Sequence, residues 1–197
     1  MKRAAIFDYD NTLIAGDSFF PFLTHAAGFV PAYAALTLAL CSYAFRRALG
    51  KPLVSLRTFV KDDLLYRLLK GKKRDALKDA CEKTRQWQSI NLPVMQKLLE
   101  HSKRGDTIVI ASGSLDLYIF DLLQDVPHDA VICTDIGVEN GIITGEMIHG
   151  NCVRQRKAER VAAWLMQNGP FDETFAYGNY PHDLPMMELA KHRIIVS

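Results

Sequence analysis

The 197 residues carry 24 Lys and Arg against 22 Asp and Glu, a net charge of +2, and 49% of them are hydrophobic. That balance excludes a disordered chain and gives bulk charge no hold on nucleic acid, so no nucleic-acid partner is expected. The length suits one domain of ordinary size with a proper core and a modest insertion.

The charge is unevenly spread. Arg46 to Arg104 holds 16 Lys and Arg against 6 Asp and Glu, and the remainder is acidic. The four cysteines, Cys41, Cys81, Cys133 and Cys152, show no C-x-x-C pair and no zinc-finger spacing. They read as free thiols in a reducing, cytoplasmic compartment. Lys2 and Arg3 precede only Ala4 to Phe7 before Asp8, too short a run for a secretory signal.

In chain order, Ala4 to Phe7 is a buried strand opening into a loop with Asp8, Asp10 and Thr12. An almost wholly helical stretch follows, about Gly16 to Ser89, and contains the basic segment. Residues 16–89 are therefore predicted to form a helical cap, with 1–15 and 90–197 as the core. Ser18 to Phe45 lacks Asp, Glu, Lys and Arg, but Pro21, Gly28 and Pro31 divide it and leave only Ala32 to Phe45 as a clean apolar run. That is short of the roughly 20 residues a membrane span needs. The expectation is a buried or interfacial helix, with Arg46 and Arg47 placed to meet anionic headgroups. Peripheral contact with the inner face of the membrane through the cap is thus one partner reading.

The helical pattern Leu92 to Lys103 leads to a second strand, Thr107 to Ala111, and to Ser112-Gly113-Ser114. A helix is expected over Leu115 to Leu123, with Ser112 as a candidate N-cap. A third strand spans Ala130 to Cys133, and Asn140-Gly141 marks a hairpin turn. A helical pattern over Lys157 to Met166, a strand over Phe175 to Tyr177, a short helix over Leu184 to Leu189 and a strand over Arg193 to Val196 complete the chain. Buried strands alternating with helices predict a doubly wound, Rossmann-like parallel α/β sheet covered on both faces.

In such a sheet, ligands bind beyond the carboxyl ends of the strands. Asp8, Asp10 and Thr12 fall at one such end, Ser112 and Gly113 at another, and Asn179 and Asp183 at a third, with Lys157 opening a nearby helix. Carboxylates, hydroxyls, a lysine and an amide suit phosphate and a hard cation.

Four segments resemble the motifs of the haloacid dehalogenase superfamily. FDYDNTL resembles the first, IVIASGS the second, Lys157 in GNCVRQRK the third, and GNYPHD the fourth, in the right order. The long helical insertion after the first motif is similar to the phosphoserine phosphatase-like branch, subfamily IB. The resemblance implies a Mg²⁺-dependent hydrolase of a small phosphate monoester, working through an aspartyl phosphate. It implies Asp8 as nucleophile, Asp10 as general acid and base, and Thr12, Ser112, Gly113 and Lys157 around the phosphoryl group. The implied Mg²⁺ ligands are Asp8, the Asp10 backbone carbonyl and Asn179, with Asp183 either on the metal or orienting its waters. The fourth motif usually begins with Asp, so Asn179 removes one negative charge.

Each residue also has a plainer reading: a solvated turn for Asp8 and Asp10, a surface lysine for Lys157, and a helix cap for Asp183. Three alternatives stand beside the phosphatase. One is a lipid-phosphate phosphatase at the membrane surface, acting on a substrate like phosphatidylglycerol phosphate. The others are a phosphotransferase and a non-catalytic phosphoester-binding module. Sequence leaves the oligomeric state open.

Overall fold

The computed structural model describes residues 1–52 and 54–196. Leu53, in the predicted cap, and Ser197, at the end of the predicted core, lie outside the described residues. Two compact units are formed, one from Met1–Ser18, Gln88–Thr134 and Asn151–Ser197, the other from Phe19–Trp87 and Asp135–Gly150.

Strand β1 (Arg3–Phe7) and the two-residue β2 (Ile14–Ala15) precede α1 (Phe19–Ala27), α2 (Phe29–Ala48), α3 (Leu56–Leu68) and α4 (Lys78–Trp87). Next come β3 (Ser89–Ile90), α5 (Leu92–Lys103), β4 (Thr107–Leu115), α6 (Ile119–Leu122) and β5 (Ala130–Thr134). A hairpin of β6 (Ile136–Glu139) and β7 (Ile142–Met147) is followed by α7 (Arg154–Asn168), β8 (Glu173–Gly178), α8 (Leu184–Met187) and β9 (His192–Ile195).

In the first unit, the described residues form a five-stranded sheet of order β5-β4-β1-β8-β9, with every pair parallel. Alternation along the strands sorts the core into two faces. Ile6, Val109, Ala111, Ile132 and Ala176 meet Ala158 and Val161 of α7 and the methionines Met186 and Met187. Phe7, Phe175 and Tyr177 point the other way and pack on the His101 ring of α5. Both faces are covered, which is why β1 reads as an unbroken apolar run. The chain leaves β1 in one direction for β4 and β5 and returns on its other side as β8 and β9. The strand ends beside β1 are therefore the switch point at which such sheets bind ligands.

Three predicted features differ. The helix expected over Leu115 to Leu123 shrinks to the single turn α6, because β4 runs on to Leu115, which pairs with Thr134. The Asp116 amide also bonds the Thr134 carbonyl at 3.0 Å, so the sheet claims these groups before a helix can start. Ser112 accordingly caps no helix, and its hydroxyl accepts the Ser114 amide at 2.9 Å. Second, Asp135–Gly150 joins the helical unit, although the pattern placed it within the 90–197 core. The outer edge of β7 bonds the segment after α3, Gly71 N–H to Ile143 O at 2.8 Å and Ile143 N–H to Lys72 O at 2.9 Å. Gly145 lets the strand approach: a Cβ there would lie 3.2 Å from Tyr66 Cα.

Third, Pro31 does not divide the apolar stretch. It sits in the first turn of α2, where no amide hydrogen is needed, so the helix runs 20 residues. By length and composition alone it is long and apolar enough to cross a membrane, yet only 17% of its apolar window is buried. The helical unit is built instead on Phe22 and Leu23 of α1, Leu64, Leu65 and Leu68 of α3, and Ala80 and Cys81 of α4.

Candidate active site

Asp8 follows β1 directly, its amide tied to the Tyr177 carbonyl at 2.9 Å, and it is buried. Its carboxylate is held from both sides. Lys157 Nζ stands 2.6 Å from Oδ1, and the Thr12 hydroxyl donates to Oδ2 at 2.9 Å. The tight turn after β1, with Asn11 at φ +60°, folds Thr12 back onto Asp8.

Lys157 lies in the first turn of α7 and is buried, so the surface-lysine reading does not hold. Its second partner is Asp183 Oδ1 at 2.7 Å. Asp183 makes no side-chain cap to α8; its other oxygen accepts the Asn179 amide at 3.0 Å. Gly178 makes room for this return, since a Cβ there would lie 2.7 Å from the Asp183 Cβ. Asp183 thus has both oxygens engaged by protein donors, one by the lysine and one by the backbone. One ammonium serves two buried carboxylates. Burial pushes the Asp8 carboxyl up to about 7, opposed by Lys157 and reinforced by the Asp183 charge. Burial acts to lower the Lys157 pKa, but the two carboxylates outweigh it and hold the ammonium firmly charged.

Asp10 has a separate set of partners. Oδ1 accepts the Ser18 amide at 2.7 Å, and Oδ2 accepts the Ser114 hydroxyl at 2.5 Å, with Ser112 Oγ farther off at 3.4 Å. Behind the carboxylate, Ser18 Oγ lies 3.0 Å from Ser114 Oγ and 3.2 Å from the Tyr118 hydroxyl, all of them buried. Ser114, Ser18 and Tyr118 were not singled out as partners of Asp10 by the sequence reading, although one signal was present. Ser112 and Ser114 are two apart on an extended strand and so share a face. Gly113 between them faces α7, where a Cβ would lie 2.8 Å from Val153 Cγ1.

A hard cation fits oxygen donors at this strand end. The Asn179 side chain lies against the Asp10 carbonyl, with Nδ2 at 3.4 Å, and a half-turn of the amide would present its oxygen to the same point. Among the described residues no group of three or more His, Cys, Asp or Glu stands ready for a metal. A cation here must therefore combine the Asp8 carboxylate with carbonyl and amide oxygens, a donor set that suits Mg²⁺ with retained waters.

The sequence profile of the haloacid dehalogenase-like hydrolases matches residues 5–188, from β1 through α8. The chain belongs to the haloacid dehalogenase-like hydrolase family. Within that family it is similar to a histidinol-phosphatase of Neisseria meningitidis, 26% identical over all of this chain and 91% of that one. A phosphoserine phosphatase of Lactococcus lactis is 30% identical over 46% of this chain and 42% of its own length. These relatives and the family support a haloacid dehalogenase-type phosphoric monoester hydrolase. Among solved structures, a Bordetella pertussis protein of unknown function covers 99% of this chain and 90% of its own at a TM-score of 0.79 and 20% identity. A phospho-aspartyl intermediate analogue of phosphoserine phosphatase covers 98% and 86% at 0.66 and 17%. At these identities the likeness is one of fold.

Proposed function

We propose that the protein hydrolyses a small phosphate monoester in two displacements through a phosphoryl group carried on Asp8. The observation that supports this best is the buried Asp8 carboxylate, one oxygen held by Lys157 and the other by Thr12. A purely structural carboxylate at a strand end has no need of a second buried carboxylate competing for the same lysine.

In the first displacement an Asp8 oxygen attacks phosphorus and the bond from phosphorus to the ester oxygen breaks. Asp10 gives its proton to the departing alkoxide. In the second, water attacks the same phosphorus, Asp10 takes a proton from it, and the bond to Asp8 breaks to release phosphate. Lys157 offsets charge between Asp8 and the transferring group, and Ser112 and Gly113, near the end of β4, would donate to its oxygens. Asp8, the Asp10 carbonyl and Asn179 would hold Mg²⁺, which when bound supplies the positive charge that lets a carboxylate approach an anionic phosphoryl group. Asp183 acts on this reading by holding Lys157 and the Asn179 backbone. The four cysteines stand as thiols and not as disulfides, which supports a reducing, cytoplasmic compartment.

A panel of phosphorylated metabolites that includes phosphoserine and histidinol phosphate, run with and without Mg²⁺, tests the reading. Beryllofluoride should label the native chain at residue 8 and leave Asp8→Asn unlabelled. Turnover that survives Asp8→Asn would remove the aspartyl-phosphate route.

A further inference from the structure

Helix α2 is built inside out. The residues it turns toward its own unit are alanines, with Ala32 and Ala39 at 0% exposure and Ala35 at 5%. Its large apolar side chains point to solvent: Phe29 is 66% exposed, Val30 75%, Leu38 52% and Phe45 66%, with Tyr33 and Leu40 also exposed. At 100° per residue these outward positions sweep about half the circumference. A surface helix normally has the reverse arrangement, and an exposed apolar face of this extent marks a binding surface.

What covers the face is indicated by the charges around it. No Asp or Glu occurs from Ser18 to Lys61. Arg46 and Arg47 end α2, Lys51 and Arg57 follow, and all four are exposed. Arg46 lays its guanidinium over the Phe59 ring of α3, 5.6 Å from the centroid, while Arg47, about five turns on from Phe29 and in line with it, ends the outward strip. Val54 and Leu56 extend that strip among the basic residues. The acid of α3 beside Leu38, Asp63, is already paired with Arg67 at 2.5 Å.

We infer that this face of α2, with Arg46, Arg47, Lys51 and Arg57 at its end, seats the helical unit on the surface of an anionic lipid bilayer. The helix lies in the interface and does not cross it. Its inward arc is packed on α3, which carries Arg57, Lys61, Asp62, Asp63 and Arg67, and a crossing α2 would drag those charges into hydrocarbon. Lying flat, the helix buries the phenylalanines and leucines at the acyl boundary while the arginines reach phosphate oxygens.

Cys41 lies on the outward face and is exposed, whereas the other three cysteines are buried, so a solvatochromic dye on this thiol reports directly on the surface. The labelled chain is mixed with phosphatidylcholine vesicles, with or without about 30% phosphatidylglycerol, enough to set up an anionic surface potential. Expected are co-sedimentation and a blue shift with the anionic vesicles only, reversed by high salt. Arg46→Gln with Arg47→Gln should weaken partitioning roughly thirtyfold, at about one favourable headgroup interaction per cation. Phe45→Glu should weaken it as well, and because all three positions are exposed, unfolding midpoints should not move. Three results overturn the inference: no sedimentation with anionic vesicles at low salt; equal sedimentation with neutral vesicles that only detergent reverses, which means a spanning helix; or a concentration-dependent dimer abolished by Phe45→Glu without vesicle binding, which means a second copy covers the face. None of these measurements uses turnover, so they stand or fall apart from the phosphatase reading.

Discussion

Ser114 gives its hydroxyl to Asp10 Oδ2 at 2.5 Å, and it does so from a strand that begins 97 residues after Asp10 (Thr107, following residue 10). Two adjacent parallel strands, β1 and β4, bring the pair together, and Ser18 and Tyr118 close the network behind them. Asp10 therefore has its orientation set by Ser18 and Ser114, which are themselves held to each other and to Tyr118.

If Asp10 moves the proton, Ser114→Ala should act on chemistry that needs one. On an alkyl phosphate kcat is expected to fall by about 10- to 100-fold with little change in KM. On p-nitrophenyl phosphate, whose leaving group departs without protonation, the first displacement should lose much less. Equal losses on both esters would mean that Ser114 only supports the fold.

Lys157 pairs with both Asp8 and Asp183. Removing one member of a buried ion pair leaves an uncompensated charge, so Lys157→Met should lower unfolding free energy by about 3–5 kcal/mol. Asp8→Asn leaves the Lys157–Asp183 pair in place and should shift the urea midpoint far less, while turnover is expected to be lost. Urea unfolding of the two variants side by side checks the contrast.

If Asp8 holds Mg²⁺, its carboxyl, raised to about 7 by burial, should tie cation binding to pH. A metal ligand must be deprotonated, so Mg²⁺ binding at pH 6.5 should release roughly three-quarters of a proton, and at pH 8.5 close to none. Calorimetry in buffers of different ionisation enthalpy measures this directly. Proton release that does not vary across the interval would place the cation elsewhere.

Asn179 stands where the family motif usually carries a carboxylate. Asn179→Asp adds a charge beside the Asp10 carbonyl, which is unfavourable until a cation is present. The Mg²⁺ concentration for half-maximal activity should drop about tenfold or more, with turnover retained. Complete loss of turnover would show that this side chain is not at the metal.

On the α5 face of the sheet, His101 Nε2 lies 2.9 Å from the Tyr177 hydroxyl, while Nδ1 faces Asp106 at 2.7 Å. Burial holds the imidazole below its ordinary value of 6.5, outweighing the Asp106 carboxylate, which acts to raise it. The unfolded chain then binds the extra proton first as pH falls, so this contribution to stability is fully present above 6.5 and is lost below it. Asp106 is also held below its ordinary value: burial acts to raise it, but Arg104 and His101 outweigh burial, and its contribution is lost only as pH falls below about 3.8. Asp8, raised to about 7, acts in the opposite sense over this interval but equally in both chains, so between pH 7.5 and 5.5 the urea midpoint of the native chain should fall relative to that of His101→Gln.

Much of this was legible in one dimension. The apolar runs Ala4–Phe7, Thr107–Ala111 and Ala130–Cys133 could be read as central parallel strands because strands buried on both faces have no polar side to show. The site residues could be placed at strand ends because a sheet aligns those ends whatever the loops do. Sequence could not settle where β4 stops, because that was decided by its pairing with Thr134 on another strand. The partners of Asp10 were hidden for the same reason, since Ser18 and Ser114 stand 96 positions apart. The hairpin Asp135–Gly150 read as part of the core until its edge bonds to Gly71–Arg74 placed it with the helices. Composition marked α2 as apolar, but only packing revealed which way its phenylalanines turn. Local pattern sets which side chains a strand or helix carries, whereas the partner of a hydrogen-bonding group and the side a helix presents to solvent depend on residues distant in the chain.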